Sequence, residues 1–157
     1  LYRAHHRIWM VTPYFVPDAT VLEALCSAAH RGVAVKLIFP KVNDSWIVAA
    51  ASRSYYSKLL SAGCEIHEFK GGLLHAKTLT LDGKVTMIGS SNLDLRSFDL
   101  NYENNILLQD LNVTLAVRER QQDYIARSDP MTLDLVSAWP KSRRIWYNVI
   151  ATIGPVL

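Results

Sequence analysis

Between Ile8 and Phe39 the chain spells a strand, a helix and a second strand in quick succession, and this order restricts the fold more than any other feature. Ile8 to Thr12 is a short apolar run stopped by Pro13, the pattern of a buried strand. Asp18 follows Pro17 and is placed to cap a helix over Ala19 to Arg31. Val21, Leu22, Leu25, Cys26, Ala28 and Ala29 mark one face of that helix, and Gly32 supplies the stop. Val33 to Phe39 is apolar and β-branched at its start and is closed by Pro40. A strand, a covering helix and a returning strand favour a right-handed crossover between parallel neighbours.

The rest of the chain extends the same layering. Asp44 is placed to cap a second helix through Leu60, with Trp46, Ala49, Ala50, Tyr56, Leu59 and Leu60 facing the core. Ala62-Gly63 ends it, and Cys64 to Phe69 returns as a strand. Leu73 to Leu81 and Val85 to Ile88 read as two strands around Asp82-Gly83, a two-residue hairpin signal. Asn105 to Gln109 is a further strand, and Asn112 to Arg127 a helix followed by Asp129-Pro130. The predicted class is α/β, a mixed β-sheet flanked by helices on both faces. At 157 residues, half of them hydrophobic, the chain is expected to form one domain over 1–157.

Two cysteines, Cys26 and Cys64, give neither a disulfide framework nor a metal cluster and read as small buried apolar residues. The net charge of +3 suits an anionic substrate or membrane surface better than the stronger bias of many nucleic-acid binders, so nucleic acid is an unlikely partner. No run of ~18 apolar residues suggests a membrane span. The chain does not begin with Met and is expected to be a piece of a longer protein, itself soluble or peripheral. Residues 141–157 form a basic and aromatic segment. Lys141, Arg143 and Arg144 precede Ile145-Trp146-Tyr147, which suits either a membrane interface or an amphipathic helix packed on its own domain.

The chemistry concentrates in Leu74-His75-Ala76-Lys77, followed by Asp82 and then Gly89-Ser90-Ser91-Asn92. On a strand His75 and Lys77 share a face, with Cα atoms about 7 Å apart at roughly 3.3 Å rise per residue. Imidazole and ammonium can then converge on one phosphoryl group. Asn92, after the next strand, can donate to the same oxygens. Lys77 and Asn92 would stabilise charge on the equatorial oxygens, and histidine can serve as nucleophile or proton donor near neutral pH. The motif offers one lysine, one histidine and no carboxylate cluster, so no metal and no cofactor is expected. A lone strand histidine is ordinarily structural. His75 differs because Lys77, Asn92 and the glycine turn accompany it, whereas His5, His6, His30 and His67 read as structural.

The spacing His75-x-Lys77-x4-Asp82-x6-Gly89-Ser90-x-Asn92 resembles the signature of the phospholipase D superfamily. Thr12-Pro13-Tyr14-Phe15-Val16-Pro17-Asp18, Asp44-Ser45, Gly72-Leu73-Leu74-His75 and Ser91-Asn92-Leu93-Asp94-x-Arg96-Ser97, with Asn101-x-Glu103, are similar to the C-terminal catalytic half of bacterial cardiolipin synthases. The resemblance implies a phosphatidyltransferase that condenses two phosphatidylglycerol molecules to cardiolipin and glycerol through a phosphohistidine. It implies that two HxK motifs face each other, so an N-terminal HxK half is the missing partner. It implies a parent at the bacterial inner membrane, in contact with anionic lipid. By the same resemblance His75 serves proton transfer, and Glu103 hydrogen-bonds a catalytic histidine, often that of the facing half.

The remaining candidates keep two roles each. Asp82 suits a hairpin position where positive φ is tolerated, and is read as structural. Ser90 and Ser91 either donate to phosphate or shape the turn. Asp94 and Arg96 either pair to hold the loop after Asn92 or contact a lipid headgroup, and with Tyr14 they form a candidate substrate loop. The alternatives for the chain as a whole are a single-motif nuclease or phosphodiesterase acting as a homodimer, and an inactive excised half-site. Isolated, the chain is expected to form a homodimer through the apolar surface that the missing half would cover.

Overall fold

The structure is a computed structural model and describes residues 1–94, 97 and 101–152. Arg96 and residues 153–157 of the C-terminal segment lie outside them. Strand β1 (Arg7–Val11) leads through the short β2 (Phe15–Val16) into helix α1 (Ala19–His30) and then β3 (Ala34–Pro40). β1 and β3 pair in parallel, with Ile8 opposite Val35 and Met10 opposite Leu37. The local signals explain the boundaries. The Asp18 carboxylate accepts from the Val21 amide at 2.8 Å, and Gly32 leaves the helix at a φ of +84°.

The second helix departs from expectation. It is broken into α2 (Trp46–Ser54) and α3 (Tyr56–Ser61). Its cap is Ser45, whose hydroxyl accepts from the Val48 amide, and not Asp44. Trp46, expected in the core, is 64 % exposed. An ion pair sits at the break. Arg53 Nε lies 3.1 Å from Glu68 Oε1, and the same oxygen accepts from the fully buried Tyr56 hydroxyl. These contacts tie the end of α2 and the start of α3 to strand β4 (Glu65–Phe69), which pairs in parallel with β3.

Strand β5 (Thr78–Leu81) runs antiparallel to β1, and β6 (Val85–Gly89) antiparallel to β5. The expected strand from Leu73 is shorter and begins only at Thr78, since residues 73–77 form no regular strand. The turn is one residue longer than predicted. Leu81 pairs with Val85, so Asp82, Gly83 and Lys84 form the loop, with Asp82 at φ +51° and Gly83 at +69°. Beyond the short β7 (Leu93–Asp94) come β8 (Asn105–Leu108), helix α4 (Leu111–Ala126), β9 (Ser128–Met131), α5 (Leu133–Ser137) and α6 (Lys141–Thr152). The main sheet has the order β8-β6-β5-β1-β3-β4-β9, and β2 pairs with β7 in a two-stranded sheet.

Alternation along β1 divides the core. Ile8 and Met10 join Val35, Leu37 and Ile66 beneath Leu25 of α1 and Leu59 of α3. Val11 joins Ile38 and Phe69 on the opposite face, where Tyr124 and Ile125 of α4 cover them. Helices therefore flank a mixed sheet on both faces, as the sequence predicts. Cys26 and Cys64 are free and buried, as expected of small apolar residues.

Asp82 does more than turn the hairpin. Its carboxylate accepts from three successive amides, those of His5, His6 and Arg7, at 2.8–2.9 Å. Burial raises its pKa, but the three donors outweigh that effect, and the net shift is downward. A carboxylate with a lowered folded pKa stabilises the fold above its unfolded pKa and loses that contribution as pH falls through the folded value. Asp82→Asn is expected to destabilise the fold at neutral pH, by no more than about 1 kcal/mol because solvent screens this partly exposed carboxylate. Urea unfolding at decreasing pH should show the gap to wild type closing below the ordinary carboxylate range.

Candidate active site

The topology delivers the described candidates other than Asp82 to one edge of the sheet. β1 and β3 run in parallel, and the loops after their C-terminal ends carry Tyr14 and Asp44. β5 runs the opposite way and pairs Thr78 with Val11, so His75 and Lys77, just before it, reach the same edge. Gly89 of β6 pairs with Asn105 of β8, which places Ser90, Ser91 and Asn92 after one strand and Glu103 before the other. The carboxyl ends of parallel strands are the usual position of ligand sites in α/β sheets.

His75 is exposed and Lys77 half-buried. Lys77 Nζ lies 3.1 Å from His75 Nδ1, 3.2 Å from Nε2 and 3.1 Å from the His75 carbonyl oxygen. The two groups converge without a regular strand beneath them. Their backbone is held from both sides instead. The Gly89 amide donates to the Lys77 carbonyl, and Thr78 Oγ1 accepts from the fully buried Gln121 of α4. Gln121 also accepts from Thr80 and donates to the Trp9 carbonyl, so one side chain fastens α4 to β1 and β5 directly behind the motif. Burial lowers the Lys77 pKa, while Glu103, Asp44 and Asp94 oppose the shift.

The surrounding side chains form two groups. On one side Ser90 donates to Glu103, and Asn101 Nδ2 donates to the other Glu103 oxygen at 3.3 Å. Asn105 Nδ2 donates to Ser91 at 2.6 Å. Both serines thus hold the chain crossing from β6 to β8. Gly89 is required there, since a Cβ would stand 2.5 Å from the Asn104 carbonyl oxygen. On the other side the Tyr14 hydroxyl donates to the Asp44 carboxylate at 2.7 Å, and the Tyr14 ring meets His75 edge-on with centroids 6.0 Å apart. Burial and the Asp44 carboxylate push the Tyr14 pKa up to about 12. β2 and β7 pair Val16 with Asp94, which brings Asp94 beside this group. Asp94 itself accepts from the Ser97 amide at 2.6 Å.

Asn92 lies between the two groups. Its backbone amide donates to Ser97 Oγ, while its buried Oδ1 has no hydrogen-bond partner among the described residues. The side chain lines a cavity of about 100 Å³ together with Lys77 and Ser91, floored by Met10, Leu79 and Met87. A buried unsatisfied amide costs about 1–3 kcal/mol and marks a place where a ligand polar group would be welcome.

The structure therefore gathers His75, Lys77, Asn92, Ser90, Ser91, Glu103, Tyr14 and Asp94, and leaves Asp82 at the far end of β5. Glu103 bonds to Ser90 and Asn101, with its charge near Lys77. Sequence reasoning missed Asp44 as the partner of Tyr14, because its position before a helix offered a simpler use. It also missed Gln121, which nothing in its immediate surroundings, Arg118-Glu119-Arg120-Gln121-Gln122-Asp123, sets apart. Among the described residues no group of three His, Cys, Asp or Glu side chains is arranged to hold a metal ion.

Residues 1–124 match the family described as "Cardiolipin synthase, PLD-like domain". The chain is 43 % identical over 150 residues to cardiolipin synthase A of Cronobacter sakazakii, covering 96 % of this chain and 30 % of that protein. It is 43 % identical over 156 residues to cardiolipin synthase A of Shigella flexneri, covering 99 % and 32 %. It thus spans about a third of the length of these relatives. Among solved structures it is similar to the phospholipase D family member Nuc from Salmonella typhimurium (TM-score 0.73, 20 % identity, 83 % of this chain and 85 % of that one). It is also similar to phosphatidylserine synthase of Haemophilus influenzae Rd KW20 (TM-score 0.77, 16 % identity, 99 % of this chain and 42 % of that one). These two likenesses bear on the fold.

Proposed function

This chain belongs to the family of cardiolipin synthase, phospholipase D-like domains, and from that membership we propose that it supplies one of two HxK half-sites of a phosphatidyltransferase. The observation that carries the proposal is the convergence of Lys77 Nζ on both ring nitrogens of His75. A phosphoryl oxygen entering beside the imidazole meets the ammonium at once. The substrates are two phosphatidylglycerol molecules, and the products are cardiolipin and glycerol.

In the first step a histidine nitrogen of the facing half attacks phosphorus. The bond from phosphorus to the glycerol oxygen breaks, and His75 delivers a proton to that oxygen. In the second step the hydroxyl of another phosphatidylglycerol gives its proton to His75 and attacks phosphorus, and the nitrogen–phosphorus bond breaks. Lys77 and the Asn92 amide carry the charge on the equatorial oxygens throughout. Tyr14 walls the imidazole on one side, and Ser90 and Glu103 hold the loop on the other.

Phosphatidylglycerol vesicles and plasmid DNA, offered in parallel to the two-motif parent, test the substrate class. Cardiolipin formation without DNA cleavage is expected. DNA cleavage without lipid transfer would favour the nuclease alternative. Because Lys77 and His75 supply the charge and the proton, turnover is expected to survive chelation by EDTA. Loss of activity that a divalent ion restores would overturn the phosphohistidine route.

A further inference from the structure

The chemistry above leaves the outward face of α6 without a role. This helix packs inward through Ile150, which is buried against Val16, Ala50 and Ala51, and through Tyr147, whose ring meets Trp139 at 5.4 Å. Its opposite face is open. Ile145 is 64 % exposed, Trp146 51 % and Val149 47 %. Their spacing places them on one stripe of the helix. The first turn carries Lys141, Arg143 and Arg144, all exposed, and residues 141–152 contain no acidic side chain. Leu133 and Leu135 of the preceding short helix are exposed as well.

An apolar stripe containing tryptophan, beside a cluster of cations, matches the headgroup boundary of an anionic bilayer. The tryptophan ring and aliphatic side chains enter the acyl boundary, while lysine and arginine meet phosphates. A second copy of α6 would bring no carboxylate to these cations, whereas an anionic headgroup layer would bring charge of the needed sign. No described helix is long and apolar enough to cross a membrane.

The position of the helix gives the contact a use. Arg144 shares a small cavity with Arg53 and Ser57, near the end of α2, while Ile150 packs beside Ile47 near its start. α6 therefore runs antiparallel to α2. α2 in turn begins at the exposed Trp46, two residues beyond Asp44, which binds Tyr14 beside His75.

We propose that α6 docks this chain on an anionic lipid surface, with Ile145, Trp146 and Val149 in the acyl boundary and Lys141 and Arg143 on the headgroup phosphates. The proposal does not depend on which phosphodiester the HxK site accepts. Flotation with phosphatidylcholine vesicles, with and without phosphatidylglycerol, tests it on the chain itself. Binding is expected only with phosphatidylglycerol present and is expected to weaken as salt rises. Ile145→Ser with Trp146→Ser, and separately Lys141→Gln with Arg143→Gln, should each weaken binding roughly tenfold or more. Circular dichroism should be unchanged, since all four side chains are exposed. In wild-type chain, lipids carrying a nitroxide on the acyl chain should quench fluorescence, and Trp146→Phe should remove most of that quenching. Equal binding to neutral vesicles, unaltered binding of both variants, or quenching that persists in Trp146→Phe would overturn the proposal. So would a dimer, seen by sedimentation, that Trp146→Ser dissociates while wild-type chain ignores vesicles.

Discussion

His75→Ala in the two-motif parent is expected to abolish phosphatidyl transfer while leaving the fold intact. The side chain is exposed and belongs to none of the buried clusters. Its neighbours are the edge of Tyr14 and the Lys77 ammonium, so its loss should shift the unfolding free energy by no more than about 0.5 kcal/mol. The kinetic effect has a different scale, because a positioned acid–base group supplies roughly 10²–10⁴ in rate. The role can be separated from that of the facing histidine. A phosphodiester with an acidic phenol leaving group needs no protonation as it departs. His75→Ala should therefore still release the phenol in a single burst from such a substrate, while failing on phosphatidylglycerol. Near wild-type turnover of phosphatidylglycerol by the variant would refute the central role of His75, and loss of the burst would make His75 the nucleophile.

Lys77→Ala is expected to lower kcat by roughly 10²–10³, about 3–4 kcal/mol, the scale of a lost donor to a developing oxyanion. The ammonium is half-buried, with its pKa lowered by that burial against the pull of Glu103, Asp44 and Asp94. The sign of the pH effect follows. Deprotonation begins below the ordinary lysine range, so the rate of the wild-type enzyme should fall on the alkaline side earlier than an exposed lysine would allow. In Lys77→Ala that alkaline limb should vanish along with most of the rate. A rate–pH profile of both proteins checks this, and an unchanged alkaline limb in the variant would assign it to another group.

The first strand–helix–strand unit was legible because its signals are local. Asp18 caps within three residues, Gly32 stops the helix by its own φ, Pro13 follows the first strand, and Pro40 is the last residue of the second. The motif residues were legible for a related reason. His75, Lys77 and Asn92 stand close in sequence on either side of one hairpin, so short-range geometry already brings them near. Other elements were illegible for the opposite reason. Ser128–Met131 contains Pro130 and reads as a turn, yet it forms the edge strand β9 against β4, a position where a missing amide donor is tolerated. The contact that ties α2 and α3 to β4 joins Arg53 to Glu68, 15 residues later, a distance no local signal covers.

The sequence by itself determined the α/β layering, the parallel first crossover, and the identity of the pair proposed to meet the phosphate. Periodicity, caps and turn residues act over a few positions, and the HxK spacing is itself local. Tertiary structure alone decided what surrounds that pair. It moved Asp44 from the helix cap it was expected to form to the hydroxyl of Tyr14, 30 residues away. It buried Gln121 behind Thr78 in the middle of the polar run Arg118 to Asp123. It also left Trp46 in solvent and Asn92 Oδ1 without a partner among the described residues. Each outcome depends on which strands become neighbours, and strand order is set by burying both faces of the sheet at once, a condition no short window of residues contains.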